Sequence, residues 1–452
     1  MLHSAIVLRV LIIADDLTGA ADSGVVFRER GMNTVVLLGK PGRNRIDVSD
    51  LGSAEVVAVD VDTRYLGAAL AEDAVQQLLR SCGDSADSGG DRPLLFKKVD
   101  STLRGNVAVE LAAALRARRA LIPPTARVGI LFAPAFPALG RTTIDGRQMV
   151  NGVYLKETDL WRGERTRPHA EIAEMLGEAG LTCATMNLAL VRGEANALES
   201  AMVGSAKEVD VLACDAETEE DLGAIARAAM VLDEGTIWAG SAGLASHVAD
   251  AIGLGSAFGS VRAQFCETRV HGPTLFVVGS QAMVSREQAD TLADALELDG
   301  YRVTANSTFA GKQSQEQVNE ITRSLVDCRD VLVRFDPTEA HDNDLDRKIA
   351  RSVAKMIAPC ALHVGALVAT GGDTARAILD AWGVQRLTLM GEVAPGLPCS
   401  MATCGNREIL VLTKAGGFGT RDTLLRCREF VHRFGRDSDA VESRHSAGSR
   451  KS

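Results

Sequence analysis

With 452 residues, 46% of them hydrophobic and 24% charged, the chain is too long for one ordinary core and suits two domains of roughly 200 residues each. A net charge of −10 excludes nucleic-acid binding driven by phosphate neutralisation unless the fold builds a local basic patch, and no segment reaches the ~18 uninterrupted apolar residues of a membrane span. Nine cysteines, odd in number, scattered and without a C-x-x-C pair, argue against a disulfide framework or a structural zinc site and fit a reducing cytoplasm.

The apolar run Ile6 to Ala14 reads as a buried strand rather than a cleavable leader, because it enters Asp15 and Asp16 without a small-residue cleavage site. A helix is expected near Ala20 to Arg30, Gly31 supplies its left-handed stop, and Thr34 to Leu38 returns as a strand. Further strands are expected at Val56 to Asp60, Leu94 to Val99, Val128 to Ala133, Val209 to Ala213 and Thr236 to Ala239, with an exposed Ser/Gly/Asp-rich loop from Ser81 to Asp91. Composition shifts near Gly253 to Gly272. The second half restarts with strand Thr274 to Val278, the turn Gly279–Ser280, and a helix introduced by a capping box from Ser285 to Gln288. Strands Ala366 to Ala369 and Ile409 to Leu412 follow, and the Ser-, Arg- and Asp-rich stretch from Arg436 reads as a disordered tail. Strand-length runs alternating with helical patterns give an α/β chain of two domains, each a mostly parallel sheet flanked by helices. The expected bounds are 1–252, a linker 253–271, 272–435, and the tail 436–452.

Chemistry concentrates at strand ends. Asp15 and Asp16 close the first strand, where open α/β sheets bind ligands, although Asp16 or Thr18 could simply cap the next helix. Lys97, Lys98, Asp100, Ser101, Arg104 and Asn106 leave another strand together. Arg104 suits paired bonds to a carboxylate, and Asp100, Ser101 and Asn106 could read hydroxyls. The loop Ala133 to Arg141 is Pro-rich before its arginine, and Asp60, Asp62, Thr63 and Arg64 form a third polar cluster. In the second half, Gly371, Gly372, Asp373 and Thr374 open a helix after a strand, and Ala415, Gly416 and Gly417 follow another. A diglycine at such a turn lets backbone N–H groups approach a phosphate. Three glycine turns at equivalent strand ends favour a nucleotide phosphate site, while the P-loop and dinucleotide fingerprints are missing. Gly240–Gly243 lacks the G-x-S-x-G spacing of a serine hydrolase, and His247 reads as a packing or surface residue.

As a set, the segments IADDLTGAADSG (13–24), KKVDSTLRGN (97–106), APAFPALGRTT (133–143), GSAGLA (240–245), VVGSQ (277–281), TGGDTA (370–375) and KAGGFG (414–419) resemble the four-carbon acid sugar kinase family. The resemblance implies an N-terminal acid-sugar-binding domain and a C-terminal nucleotide-binding domain. It places substrate contacts at Asp15, Asp16, Lys98, Asp100, Ser101, Arg104 and Arg141, and ATP contacts at Ser280, Gly371, Gly372, Asp373, Thr374 and Gly416. Ala415 stands where the family more often has serine. The VDSTLRGN version of the second motif looks more like the D-threonate or D-erythronate kinases than the 3-oxo-tetronate kinases.

Those residues are expected to phosphorylate the terminal hydroxyl of a sugar acid with ATP and Mg²⁺, the metal held mainly by phosphates and water. Asp16 is favoured as the base, with Asp15 orienting a neighbour and their side chains diverging from the strand end. Small-molecule substrates, no nucleic acid and no membrane are the expected partners, and a homodimer is left open. The rival readings are a hydroxy-acid dehydrogenase or aldolase and a non-catalytic sugar-acid binding protein.

Overall fold

The structure is a computed structural model that describes residues 8–39, 52–83, 92–123, 127–161, 169, 171–254, 272–296, 298, 300–303, 311–335 and 343–434. The chain forms two compact units, Met1–Ala257 and Phe258–Ser452. The expected linker from residue 255 onward, the expected tail 436–452, most of the 81–91 loop and the start of the first expected strand lie outside the described residues.

The first unit contains β1 (Val10–Ala14), β2 (Thr34–Leu38), β3 (Val56–Asp60), β4 (Leu94–Lys98), β5 (Ile130–Ala133), β6 (Arg141–Ile144), β7 (Arg147–Val150), β8 (Val153–Tyr154), β9 (Cys183–Met186), β10 (Val211–Cys214) and β11 (Ile237–Gly240). Its main sheet runs β2-β3-β1-β4-β11-β5-β10-β9, parallel throughout. Every residue of β1, β3 and β5 is buried, as near-continuous apolar runs require when helices cover both faces.

Topology opens the sheet at β1. The crossover from β1 to β2 moves toward one edge and that from β3 to β4 toward the other, and right-handed crossovers of opposite direction place their helices on opposite faces. Helix Leu17–Glu29 accordingly packs on Ala242–Ala249, while Ala68–Gly83 packs on Val107–Leu121. The loops after β1 and β4 therefore part, leaving a crevice at the carboxyl ends of adjacent strands. The first of these helices ends as expected at Gly31, φ 87°, with Gly31 N–H donating to the Arg28 carbonyl at 2.9 Å.

A small antiparallel meander, β6-β7-β8, follows the Pro-rich loop that carries Arg141 and is absent from the sequence expectations. Its two turns are Asp145–Gly146 (φ 51° and 69°) and Asn151–Gly152 (φ 49° and 80°). Asp-Gly and Asn-Gly are the strongest short-range hairpin signals, because both central residues of a type I′ turn need positive φ.

The second unit contains β12 (Thr274–Val278), β13 (Gly300–Val303), β14 (Val331–Phe335), β15 (Ala366–Thr370), β16 (Arg386–Glu392), β17 (Pro398–Cys404) and β18 (Arg407–Lys414). Strands β13-β14-β12-β15-β18 are parallel; β17 pairs antiparallel to β18 and β16 antiparallel to β17, so that β17 alone runs against the others. Crossovers again diverge, from β12 toward β13 and from β15 toward β16, so this sheet opens between β12 and β15.

Ser285 does not cap a helix. Helix Met283–Leu296 has already begun there, and Ser285 and Gln288, one turn apart on one face, reach instead to the loop after β18. Ser285 Oγ donates to the Gly416 carbonyl at 2.7 Å, and Gln288 Nε2 donates to the carbonyls of Phe418 and Thr420 at 3.0 and 2.9 Å.

Candidate active site

In the first unit the strand ends of β1, β3 and β4 bring together three segments distant in sequence. Arg64, on the turn after β3, donates from Nε to Asp15 Oδ2 at 2.8 Å and from Nη1 to Asp16 Oδ2 at 2.6 Å. Regular strand structure ends at Ala14, so alternation no longer governs the next two residues. Their side chains converge on one guanidinium instead of diverging as the sequence suggested.

The two carboxylates differ in what else they do. Asp16 caps helix Leu17–Glu29, accepting from Gly19 N–H at 2.8 Å through Oδ1 and from Thr18 Oγ1 at 2.7 Å through Oδ2. Asp15 Oδ1 is buried without a hydrogen-bond partner. Burial pushes the Asp16 carboxyl up, but Arg64 and Lys98 outweigh it and hold the group below the ordinary range. Further along the same helix, burial pushes Asp22 up to about 7 in spite of Lys98.

Lys98 is buried and donates to the Val99 carbonyl at 2.8 Å. A Cβ on Gly19 would lie 3.0 Å from its Nζ, so the absent side chain there makes room for the ammonium beside Asp16. Its neighbour Lys97 turns away into a buried pair with Glu110, 2.7 Å long. After β4, Asp100 accepts from Arg104 Nε at 2.7 Å and Nη2 at 3.1 Å, and from Thr102 Oγ1 at 2.5 Å. Burial opposes ionisation of Asp100, but Arg104 and Arg64 hold it well below the ordinary range.

One edge of the Arg104 guanidinium is thus already filled by Asp100. Arg141, like Lys98, has no carboxylate paired with it among the described residues: it donates to the Leu139 carbonyl and its Nε is buried without a partner, while Lys98 bonds the Val99 carbonyl. The meander bearing it also steadies the β4 loop, since Gln148 Nε2 donates to the Ser101 carbonyl at 2.7 Å; Trp161 Nε1, after the meander, donates to that of Thr102 at 2.8 Å. Asn106, read from sequence as a hydroxyl reader, spends its amide on the carbonyls of Thr63 and Leu66 at 2.9 and 3.0 Å. Sequence reasoning noted Arg64 only within a polar cluster. Its position after a strand adjacent to β1 is what makes it the centre of the site.

In the second unit all three glycine turns sit at carboxyl ends of the neighbouring strands β12, β15 and β18. They interlock: a Cβ on Gly279 would lie 2.0 Å from Thr374 Oγ1, and one on Gly416 would lie 2.0 Å from Ser280 Oγ. Gly371 precedes helix Gly372–Ala381 with no side-chain cap, which leaves that helix's first N–H groups for an anion.

Residues 10–248 match the model of a sugar-binding N-terminal domain and residues 275–424 that of a nucleotide-binding C-terminal domain. The chain is 37% identical over 420 residues to the D-threonate kinase of Cupriavidus necator, covering 92% of this chain and 96% of that one. The chain belongs to the four-carbon acid sugar kinase family. The D-threonate kinase of Salmonella typhimurium is 30% identical over 448 residues, covering 92% of this kinase and 97% of the relative. A crystal structure of a Salmonella typhimurium LT2 protein shares the fold, with a TM-score of 0.75 at 18% identity over 93% of this kinase and 98% of that chain. Membership in a family of sugar-acid kinases sets aside the dehydrogenase, aldolase and non-catalytic binding-protein readings. Among the described residues no helix is long and apolar enough to cross a membrane.

Proposed function

We propose that this kinase transfers the γ-phosphoryl group of ATP to the terminal hydroxyl of D-threonate or D-erythronate, giving the 4-phosphate. The observation that carries this reading is the Asp15–Asp16–Arg64 cluster at the sheet opening of a chain 37% identical to a D-threonate kinase. The first unit, 1–252 by the sequence bounds, takes the sugar acid, and the second, 272–435, takes ATP. Asp15 receives the proton of the attacking hydroxyl, its free oxygen facing no other donor. Asp16, pinned by its cap bonds, and Arg64 fix the orientation of Asp15.

The substrate carboxylate is recognised by Arg141 and Lys98, with the remaining donors of Arg104 beside them; Asp100 and Ser101 read hydroxyls. Ser280, Gly371, Gly372, Asp373, Thr374 and Gly416 surround the ATP phosphates, and the uncapped helix start with its closely fitted glycines suits such a group. Mg²⁺ would come with ATP and neutralise charge on the transferring phosphate. Such a cation keeps several of its waters and binds mainly through the phosphates.

An ATP-consumption screen across D- and L-threonate, D- and L-erythronate and 3-oxo-tetronates tests the assignment. Turnover confined to 3-oxo-tetronates would transfer the kinase to that neighbouring specificity. The carboxylate assignment has its own test. Arg141→Lys keeps the charge but loses the planar fork, so KM for the sugar acid should rise by an amount worth ~1–3 kcal/mol, with KM for ATP unchanged. An unaltered KM there, together with a rise in Arg104→Lys, would return the carboxylate to Arg104.

A further inference from the structure

Lys414 ends β18 with its side chain buried at 2% exposure, and no carboxylate pairs with it among the described residues. Its Nζ lies 3.0 Å from the Ala415 carbonyl, 3.3 Å from that of Gly416, 2.9 Å from that of Phe418 and 3.4 Å from Ser285 Oγ. In a planar trans peptide the C=O and the following N–H point in opposite directions. Carbonyls of 415, 416 and 418 gathered on one ammonium therefore turn the N–H groups of Gly416, Gly417 and Gly419 away from it. Ser285 and Gln288 hold the same loop from the neighbouring helix.

We propose that Lys414 is a positioning residue for the nucleotide: in its protonated form it draws the loop carbonyls inward and so presents the loop's N–H groups to the phosphates. The proposal rests on the reading of the second unit as the ATP site. A buried cation without a counter-ion also favours a polyanion bound across the loop, so nucleotide binding and protonation of Lys414 support each other.

Burial pulls the Lys414 ammonium down to about 8. The groups facing it do not titrate in its place. Cys427, on the helix 423–434, is pushed up to about 12 by burial, and burial pushes the Cys399 thiol on β17 up as well. Helix Met283–Leu296 offers only the neutral Ser285 and Gln288, β15 offers Thr370 in register with Lys414, and Arg426 is engaged with Asp422 at 2.7 Å.

The test is KM for ATP and for the sugar acid measured from pH 6.5 to 9.5 in the wild type and in Lys414→Met. The terminal phosphate has lost its last proton above about pH 7, so the upper half of that range reports on the protein. Wild-type KM for ATP should be level below pH 8 and then rise by up to about tenfold per pH unit, while KM for the sugar acid stays level. Lys414→Met should show a raised KM for ATP at pH 7 that no longer varies with pH. If that variant does not fold, calorimetry of wild-type nucleotide binding at pH 8.5, in two buffers of different ionisation enthalpy, should show proton uptake. A pH-independent KM for ATP in the wild type, a wild-type profile in Lys414→Met, or binding without proton uptake overturns the proposal and leaves the kinase reading standing. Failure of ATP to bind at any pH overturns both.

Discussion

Asp15→Asn is expected to lower kcat by roughly 10²- to 10⁴-fold, the contribution of a general base, with KM for ATP unchanged. Asparagine preserves the shape and the acceptor toward Arg64 but cannot take a proton. The structure moves this expectation from Asp16 to Asp15 because every oxygen of Asp16 is already engaged, by Gly19 N–H on one side and by Thr18 and Arg64 on the other. Asp16→Asn keeps a good helix cap, since asparagine and aspartate cap about equally well, and loses one of the two charges on a buried guanidinium. Its effect should therefore fall mainly on melting temperature. A kcat loss confined to Asp16→Asn would restore Asp16 as the base; full kcat in both variants would reduce the pair to scaffolding and make Asp100 the next candidate.

The same two residues show what a sequence can tell. An apolar run breaking at a double aspartate locates a strand end, and a strand end in an α/β sheet locates a site. What each carboxylate does depends on where the regular strand stops, and that is decided by the cap at Asp16 rather than by periodicity. Arg64 illustrates the second gap. Nothing local marks it, because its importance comes from β3 pairing beside β1, a relation made by topology across 48 residues. Ser285 and Gln288 show the reverse error. An S-x-x-Q spacing serves a capping box or one face of a helix equally well, and only the loop lying against that face distinguishes them. The meander is legible in Asp145–Gly146 and Asn151–Gly152, dipeptides that favour the positive φ of tight hairpin turns. The glycine turns lie where the sequence put them, at the ends of β12, β15 and β18, because the apolar runs before them already mark those strands.

Gly371→Val is expected to abolish nucleotide binding while sugar-acid binding, followed by calorimetry, survives. Gly371 has φ 93°, a region side chains rarely adopt, and its missing Cβ would lie 3.6 Å from both Ser280 N and Thr374 Oγ1. Valine there must either strain the backbone or swing the start of helix Gly372–Ala381, and in each case its first N–H groups leave their alignment. If two charge-assisted contacts to phosphate are lost, at about 1.5–3 kcal/mol each, ATP affinity falls by roughly 10²- to 10⁴-fold. Gly417→Ala serves as the comparison. A Cβ at Gly417 meets nothing within 4 Å, and its φ is ordinary, so the fold should accept it without change in melting temperature. Weaker ATP binding in Gly417→Ala, with the fold intact, would mean that the phosphates occupy the space beside this loop. Normal ATP binding in Gly371→Val would remove the β15 turn from the nucleotide site and leave the β18 loop to carry it.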